Sequence, residues 1–252
     1  MMEKMKDFFI PENRVDDISG EDYEKAEPVV SAFRAFSRIS YQSVYIVDYH
    51  RQNFLYVSEN PLFLCGLQPE EVQKMGYAFY FNYVPEEELN MLLEINKAGF
   101  EFFKQTPVED RIKLSISYDF HIRYKDIQHL INHKLTPVLL SGNGNIWLAA
   151  CVVSPASHQE VGHVEARLEG NSKYWVYSFE SRKWEEKEDP ALNNREKAII
   201  LLTVQGLTME EIAGNLCISE STVKFHKQSL FKKLNVRFIT EAISVASNYK
   251  LI

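Results

Sequence analysis

Gly206-Leu-Thr-Met-Glu-Glu-Ile-Ala213 and Ile218-Ser-Glu-Ser-Thr-Val-Lys-Phe-His226 decide the reading of this chain. Thr208 stands three residues before Glu211, the spacing at which a hydroxyl and a carboxylate cap a helix start reciprocally. Ser219 is placed to cap the helix that follows it. In that helix Val223, Leu230 and Leu234 fall at i, i+7 and i+11, one apolar stripe, which leaves Lys224, Lys227 and Gln228 on the opposite side. Only the four residues Leu216-Cys-Ile-Ser219 separate the two helices.

Upstream, Asn193 and Glu196 repeat the capping spacing and open a helix carrying Ile199, Ile200, Leu202 and Val204, which stops at Gly206. Downstream, Lys233-Leu-Asn-Val236 closes the basic helix, and a fourth helix is expected over Thr240–Lys250. Two capped helices joined by a short turn, the second amphipathic with exposed Lys and Gln, have helix-turn-helix geometry.

The stretch from Leu192 to Ile252 resembles a LuxR-type (GerE-type) helix-turn-helix domain, on Leu192-x-x-Arg195-Glu196, Gly206-Leu-Thr-x-x-Glu-Ile-Ala213, Ile218-Ser-x-x-Thr-Val-Lys-x-His226 and Lys233-Leu-x-Val236. The resemblance implies that the third helix enters the major groove of double-stranded DNA, with Lys224, Phe225 and Gln228 at base-facing positions. Ser221, Thr222, His226, Lys227, Lys232 and Lys233 are then candidates for phosphate contact or support. Lys232 and Lys233 suit solvated surface as well, and His226 suits packing. The fourth helix would supply a dimer contact through Ile243, Ala246 and Tyr249. Three positions depart from the family pattern: Asn193 replaces the usual Thr or Ser cap, Asn235 stands where Gly is usual, and Ile239 stands where a basic residue is common.

The formal net charge of −7 opposes nucleic-acid binding only on average. From Asp189 to Ile252 there are eight Lys and Arg against six Asp and Glu, so this segment carries +2 and the rest −9. Within Ser219–Arg237, Lys224, Lys227, Lys232, Lys233 and Arg237 face only Glu220. Screening over about 8–10 Å lets this local charge dominate what a nearby phosphate feels. Hydrophobic residues make up 45% and charged residues 25% of the 252, a globular composition with length for about two domains. No apolar run approaches the roughly 20 residues that span a bilayer, and Met1–Ile10 lacks the pattern of a signal peptide. Cys65, Cys151 and Cys217 are scattered and odd in number, so the expected compartment is the reducing cytoplasm.

The preceding residues predict an irregular or helical segment over 1–31, a sensor-like domain over 32–155, an aromatic-rich hairpin and charged linker over 156–189, and the DNA-binding domain over 190–252. Strands are expected at Val44–Val47 and Phe54–Val57. Helices follow from Pro69 and from Pro85, both with acids in the first turn where the helix dipole favours them. Three long strands, Ile112–Tyr124, Gln128–Leu140 and Ile146–Val153, are separated by hairpin turns at Lys125-Asp126 and Ser141–Asn145. Val161–Leu168 and Tyr174–Phe179 read as a further strand pair.

This order of elements resembles a PAS domain, with Tyr83-Val-Pro-Glu-Glu87 before the long helix as a landmark. The fold class expected is therefore α+β: a PAS-like five-stranded antiparallel sheet with helices on one face, then an all-α four-helix module. The resemblance implies sensing of an unknown small ligand or a partner interface. No cofactor is evident. His129 and His133 share a strand face, but no Cys or Glu joins them at metal spacing, and no phosphate loop or nucleophile elbow occurs. The expectation is a one-component transcriptional regulator rather than an enzyme, homodimeric on DNA and without membrane attachment. Two alternatives remain: a protein-interaction or dimerisation platform with no small ligand, and an enzyme-like pocket around His121–His133.

Overall fold

The computed structural model describes residues 8–252. The chain divides into two compact units between Lys187 and Glu188.

The first unit is built on one antiparallel sheet. Its strands are β1 (Ser43–Asp48), β2 (Asn53–Val57), β3 (Leu114–Tyr124), β4 (Ile127–Leu140), β5 (Ile146–Pro155), β6 (Gly162–Leu168), β7 (Lys173–Ser178) and β8 (Lys183–Glu188). They lie in the order β2-β1-β5-β4-β3-β6-β7-β8. The expected turns form: Lys125 takes a left-handed φ of 55° between β3 and β4, and Gly144 one of 72° between β4 and β5. Register pairs Tyr45 with Cys151 and Tyr118 with His133, so these side chains share one face.

Helices α2 (Pro61–Leu64), α3 (Pro69–Met75), α4 (Ala78–Tyr83) and α5 (Glu86–Gln105) come between β2 and β3. In α5, Leu89, Leu92, Ile95, Ala98, Gly99, Phe100 and Phe103 are buried, a stripe at helical period packed into the sheet's core. Gly99 permits a close approach of α5 to the sheet. A Cβ there would sit 3.0 Å from Cδ1 of Ile116 on β3.

Three expectations need correction. The sheet has eight strands, not five. The β3 edge is paired by β6, and the stretch from Lys183 to Glu188, expected as linker, is the eighth strand. The added strands carry Trp175 and Trp184, whose rings lie 5.2 and 4.9 Å from Phe102 on α5. The aromatic hairpin thus extends the core beneath the long helix. Second, the segment read as irregular or helical over 1–31 does not end there as a unit: α1 spans Gly20–Ser37, capped by Ser19 and Asp22, and runs across its boundary. Residues 1–7 of that segment lie outside the described residues. Third, the helices do not keep to one face. Strand alternation turns Asp48 away from Tyr45 and Val47. Tyr23 of α1 donates to Asp48 at 2.6 Å, and Ser37 bonds Tyr56, the cross-strand partner of Ile46. Helix α1 therefore lies on the second face.

The second unit holds α6 (Asn194–Val204), α7 (Met209–Leu216), α8 (Glu220–Leu234) and α9 (Ile239–Asn248). Its core has two clusters that meet at consecutive residues of α6. Ile199 packs with Ile212, Ala213 and Val223, whereas Ile200 packs with Leu230, Leu234, Ala242, Val245 and Ala246. Among the described residues no helix is long and apolar enough to cross a membrane.

Candidate nucleic-acid interface

The local signals in the second unit act as their chemistry predicts. Asn193 and Thr208 both make complete capping boxes, with Glu196 and Glu211. Ser219 accepts from the Thr222 backbone N–H and starts α8. Cys217 ends α7 at φ 52° and Asn235 ends α8 at φ 53°, both left-handed, where Asn is the best tolerated residue after Gly. Ile218 N–H bonds the Ala213 carbonyl at 3.0 Å, and Arg195 Nη1 donates to the Leu216 carbonyl at 3.0 Å. The turn between α7 and α8 is thereby tied to α6, which fixes the angle at which α8 leaves.

Helix α8 is divided by burial. Val223, Leu230 and Leu234 are in the core. Lys224, Phe225 and Gln228 are exposed, and Phe225 keeps 65% of its surface in solvent. An apolar ring left this open, between a cation and an amide, contributes little to folding and is free to touch a partner. His226 and Lys227 are half-buried, and the His226 ring meets Phe225 edge to face at 5.7 Å. Ser221 and Thr222 both direct their hydroxyls to Ser219 Oγ, at 2.7 and 2.8 Å, so they complete the cap as well as facing outward from the first turn. Lys232 is exposed.

Lys233 has an internal task that its sequence position did not announce. Its Nζ lies 2.8 Å from Glu196 Oε2 and 3.0 Å from the Ala191 carbonyl. The Glu196 side chain is fully buried, and also accepts from Ser229 Oγ at 2.8 Å and the Asn193 backbone at 2.9 Å. Burial alone raises the Glu196 carboxyl. The donors from Lys233, Asn193 and Ser229 outweigh it and hold the group below the usual glutamate value. One carboxylate thus joins the start of α6 to the end of α8. Ala246 is fully buried in this unit's own core and cannot reach a second copy, while Ile243 and Tyr249 are half-buried against the same cluster.

The first unit contains a cavity between the sheet face and helices α4 and α5, about 70 Å³ in volume. Tyr45 and Val47 of β1, Tyr118 of β3, His133 of β4 and Cys151 of β5 form its floor, with Tyr77, Tyr80, Asn96 and Phe100 opposite. Tyr45 Oη sits 2.5 Å from both Tyr80 Oη and His133 Nε2. The three histidines considered together in the sequence do not converge. His133 lines the cavity, His121 bonds Glu88 at 2.6 Å, and His129 is exposed near the β3–β4 turn. Among the described residues no group of three or more His, Cys, Asp or Glu is placed to hold a metal. Sequence reasoning passed over Tyr45 and Tyr80; the available signal was a tyrosine at an inward position of an apolar strand, Val44-Tyr-Ile-Val47.

The second unit is a LuxR-type helix-turn-helix domain: residues 190–246 match the family described as bacterial regulatory proteins, luxR family. Among curated relatives, the Fimbriae Z protein of Escherichia coli K12 is 43% identical over 61 residues, covering 24% of this chain and 29% of that protein. The regulatory protein SdiA of the same organism is 42% identical over 65 residues, covering 25% and 27%. The CsgBAC operon transcriptional regulatory protein, also from that strain, is 36% identical over 77 residues, covering 31% and 36%. The chain thus spans about three-tenths of the length of the curated relatives it matches. Over longer stretches it aligns with a phage VqmA–DPO complex at 15% identity, covering 91% of this chain and 92% of that one, with a TM-score of 0.34. A Vibrio cholerae VqmA dimer aligns at 18% identity, 87% of both chains and a TM-score of 0.31. Those scores are too low to speak for a common arrangement.

Proposed function

We propose that the protein regulates transcription by binding promoter DNA through the second unit, with α8 in the major groove. Lys224, Phe225 and Gln228 face base edges. A Lys donates to guanine acceptors, a Gln pairs with adenine, and an exposed apolar ring suits the thymine methyl. Ser221, Thr222, His226, Lys227 and Lys232 lie toward phosphates, with Lys233 in support through Glu196. The observation that carries this reading is the division of α8 into a fully packed stripe and an open face of Lys, Phe and Gln on a capped turn. The protein acts in the cytoplasm as a homodimer, with Ile243 and Tyr249 on the side of α9 that meets a second copy. Two such domains read half-sites about 34–36 Å apart.

The first unit, PAS-like in its order of strand pair, short helices, long helix and three long strands, receives the signal. The cavity between sheet and helices favours a small ligand over a pure interaction platform. The domains of the regulator are then the sensor unit up to Lys187 and the reading unit from Glu188. The test is binding of the full chain to genomic fragments across a salt series, followed by footprinting. A log–log affinity slope near −0.9 per phosphate contacted and a two-part footprint support the reading. A flat salt response contradicts it.

A further inference from the structure

Strand alternation turns Asp119 of β3 away from Tyr118 and Phe120, onto the sheet face opposite the cavity. Its side chain is fully buried. Asn132, its cross-strand neighbour on β4, donates to Oδ1 at 2.7 Å. His158, in the connection between β5 and β6, meets Oδ2 through Nδ1 at 2.6 Å. The His163 ring of β6 lies against the His158 ring, with centroids 3.8 Å apart and planes 9° from parallel. A buried carboxylate needs donors, and a charged imidazole is a stronger one than a neutral imidazole.

The backbone is bent to make this stack. Ser117 of β3 pairs with Glu165, but Asp119 pairs with Gly162, so β6 carries one extra residue at this point. Such a bulge re-aims a side chain. Gly162 takes φ 95° and His163 φ 46°. The left-handed region is unfavourable for a residue with a Cβ, least so for Asn and Asp, so contacts of the ring must hold His163 there. Strand β6 opens the run that brings Trp175 and Trp184 against Phe102 of α5, so the order of that extension begins at His163.

Two parallel imidazoles this close accommodate one positive charge far better than two. Loss of water on the stacked face comes first and the charge on His158 second in pushing His163 below the ordinary histidine value. Asp119 and Glu160 pull the other way and do not prevail. Around the pair, β4 contributes neutral Asn132 and, opposite Ser117, Lys134. On β6 itself Glu165 and Arg167 pair at 3.5 Å, and Phe179 lies against Gly162.

We propose that His158, His163 and Asp119 form an acid-sensitive latch: the stacked rings hold the β5–β6 connection and the bulged start of β6 against β3, and a second proton on the stack releases them. Once released, His163 returns to the ordinary value near 6.5. Release therefore takes up a proton, and becomes easier as pH falls from there toward the lower value of the closed form. The test is hydrogen exchange of the full chain between about pH 7.5 and 5, corrected for intrinsic rates, with the His163 ring followed by NMR. Residues 156–166 are expected to exchange at least roughly fivefold faster at the acid end, in step with His163 titration. His163→Asn suits the left-handed backbone and cannot be protonated. Whatever its rate at neutral pH, that segment should then change by less than about twofold across the series. His158→Asn keeps a donor for Asp119, removes the neighbouring charge, and should raise the His163 midpoint. An acid rise that persists in His163→Asn, or a His163 midpoint unmoved by His158→Asn, overturns the proposal. If neither variant folds, the unaltered protein decides: a His163 midpoint at or above 6.5, or exchange of 156–166 unmoved while His163 titrates, overturns it as well.

Discussion

Replacing Glu196 by Gln tests how the reading helix is held. The substitution keeps the shape but removes the charge that faces Lys233 Nζ at 2.8 Å, and it turns one acceptor toward a donor. Breaking a buried ion pair costs about 3–5 kcal/mol. Here the Lys233 side chain is 36% exposed and keeps the Ala191 carbonyl, so solvent absorbs part of the loss. Weakening the bond to the Asn193 backbone adds a share of the roughly 1 kcal/mol of a helix cap. The expected loss is about 2–3 kcal/mol. Measured by hydrogen exchange on the full chain, amides of α6 and α8 then exchange roughly 30- to 150-fold faster, at a factor of ten per 1.4 kcal/mol. The pH response has a definite sign. Because the folded Glu196 pKa is depressed, its stabilisation is present above the ordinary glutamate pKa and is lost as pH falls through the folded value. Glu196→Gln should lack that acid-side loss. A change below about 0.5 kcal/mol, the scale of an ordinary surface substitution, or an unaltered acid response, would show that the hub does not hold α8.

Other outcomes follow from the same geometry. Thr208→Ala removes the cap of α7 and should cost about 1 kcal/mol, read as faster exchange confined first to Met209–Leu216. Phe225→Ala should change stability by less than about 0.5 kcal/mol, because the ring is mostly in solvent, yet alter the DNA sequence selected; denaturant melts and site selection separate the two. In the first unit His133 resists protonation when folded. Its contribution is therefore complete above the unfolded pKa near 6.5 and falls as pH drops toward 3. The loss is about 2 kcal/mol by pH 5, and urea melts of His133→Phe should not show it.

The helix-turn-helix was legible because its determinants are local. Asn193, Thr208, Ser219 and Asn235 each act within a few residues of their own position, and the stripe of Val223, Leu230 and Leu234 lies on one helix. The link from Lys233 to Glu196 was not, since the partners are 37 residues apart and either lysine of the Lys232-Lys233 pair suits a surface role. In the first unit the hairpins were marked by their turns, but sheet width was not. Strand patterns do not say which edge the next strand joins, so the β6–β8 segment read as a separate hairpin and linker. Helix α1 was legible only as an irregular or helical segment, because it buries only Ala26 and Val30 and shows little periodicity. The cavity left no motif at all. Tyr45, Tyr80 and His133 meet across separations of 35 and 88 residues, brought together by register and by the helices packed on that face.

Lys224, Phe225 and Gln228 are the face proposed to read DNA. Selection of bound sequences from a random duplex library addresses it directly, with the full chain and with Lys224→Ala combined with Gln228→Ala. The unaltered protein should enrich a defined two-part site, and the double variant should enrich none while keeping the exchange protection of α8, since both side chains are exposed. Enrichment of the same site by the double variant would contradict the assignment of the reading face.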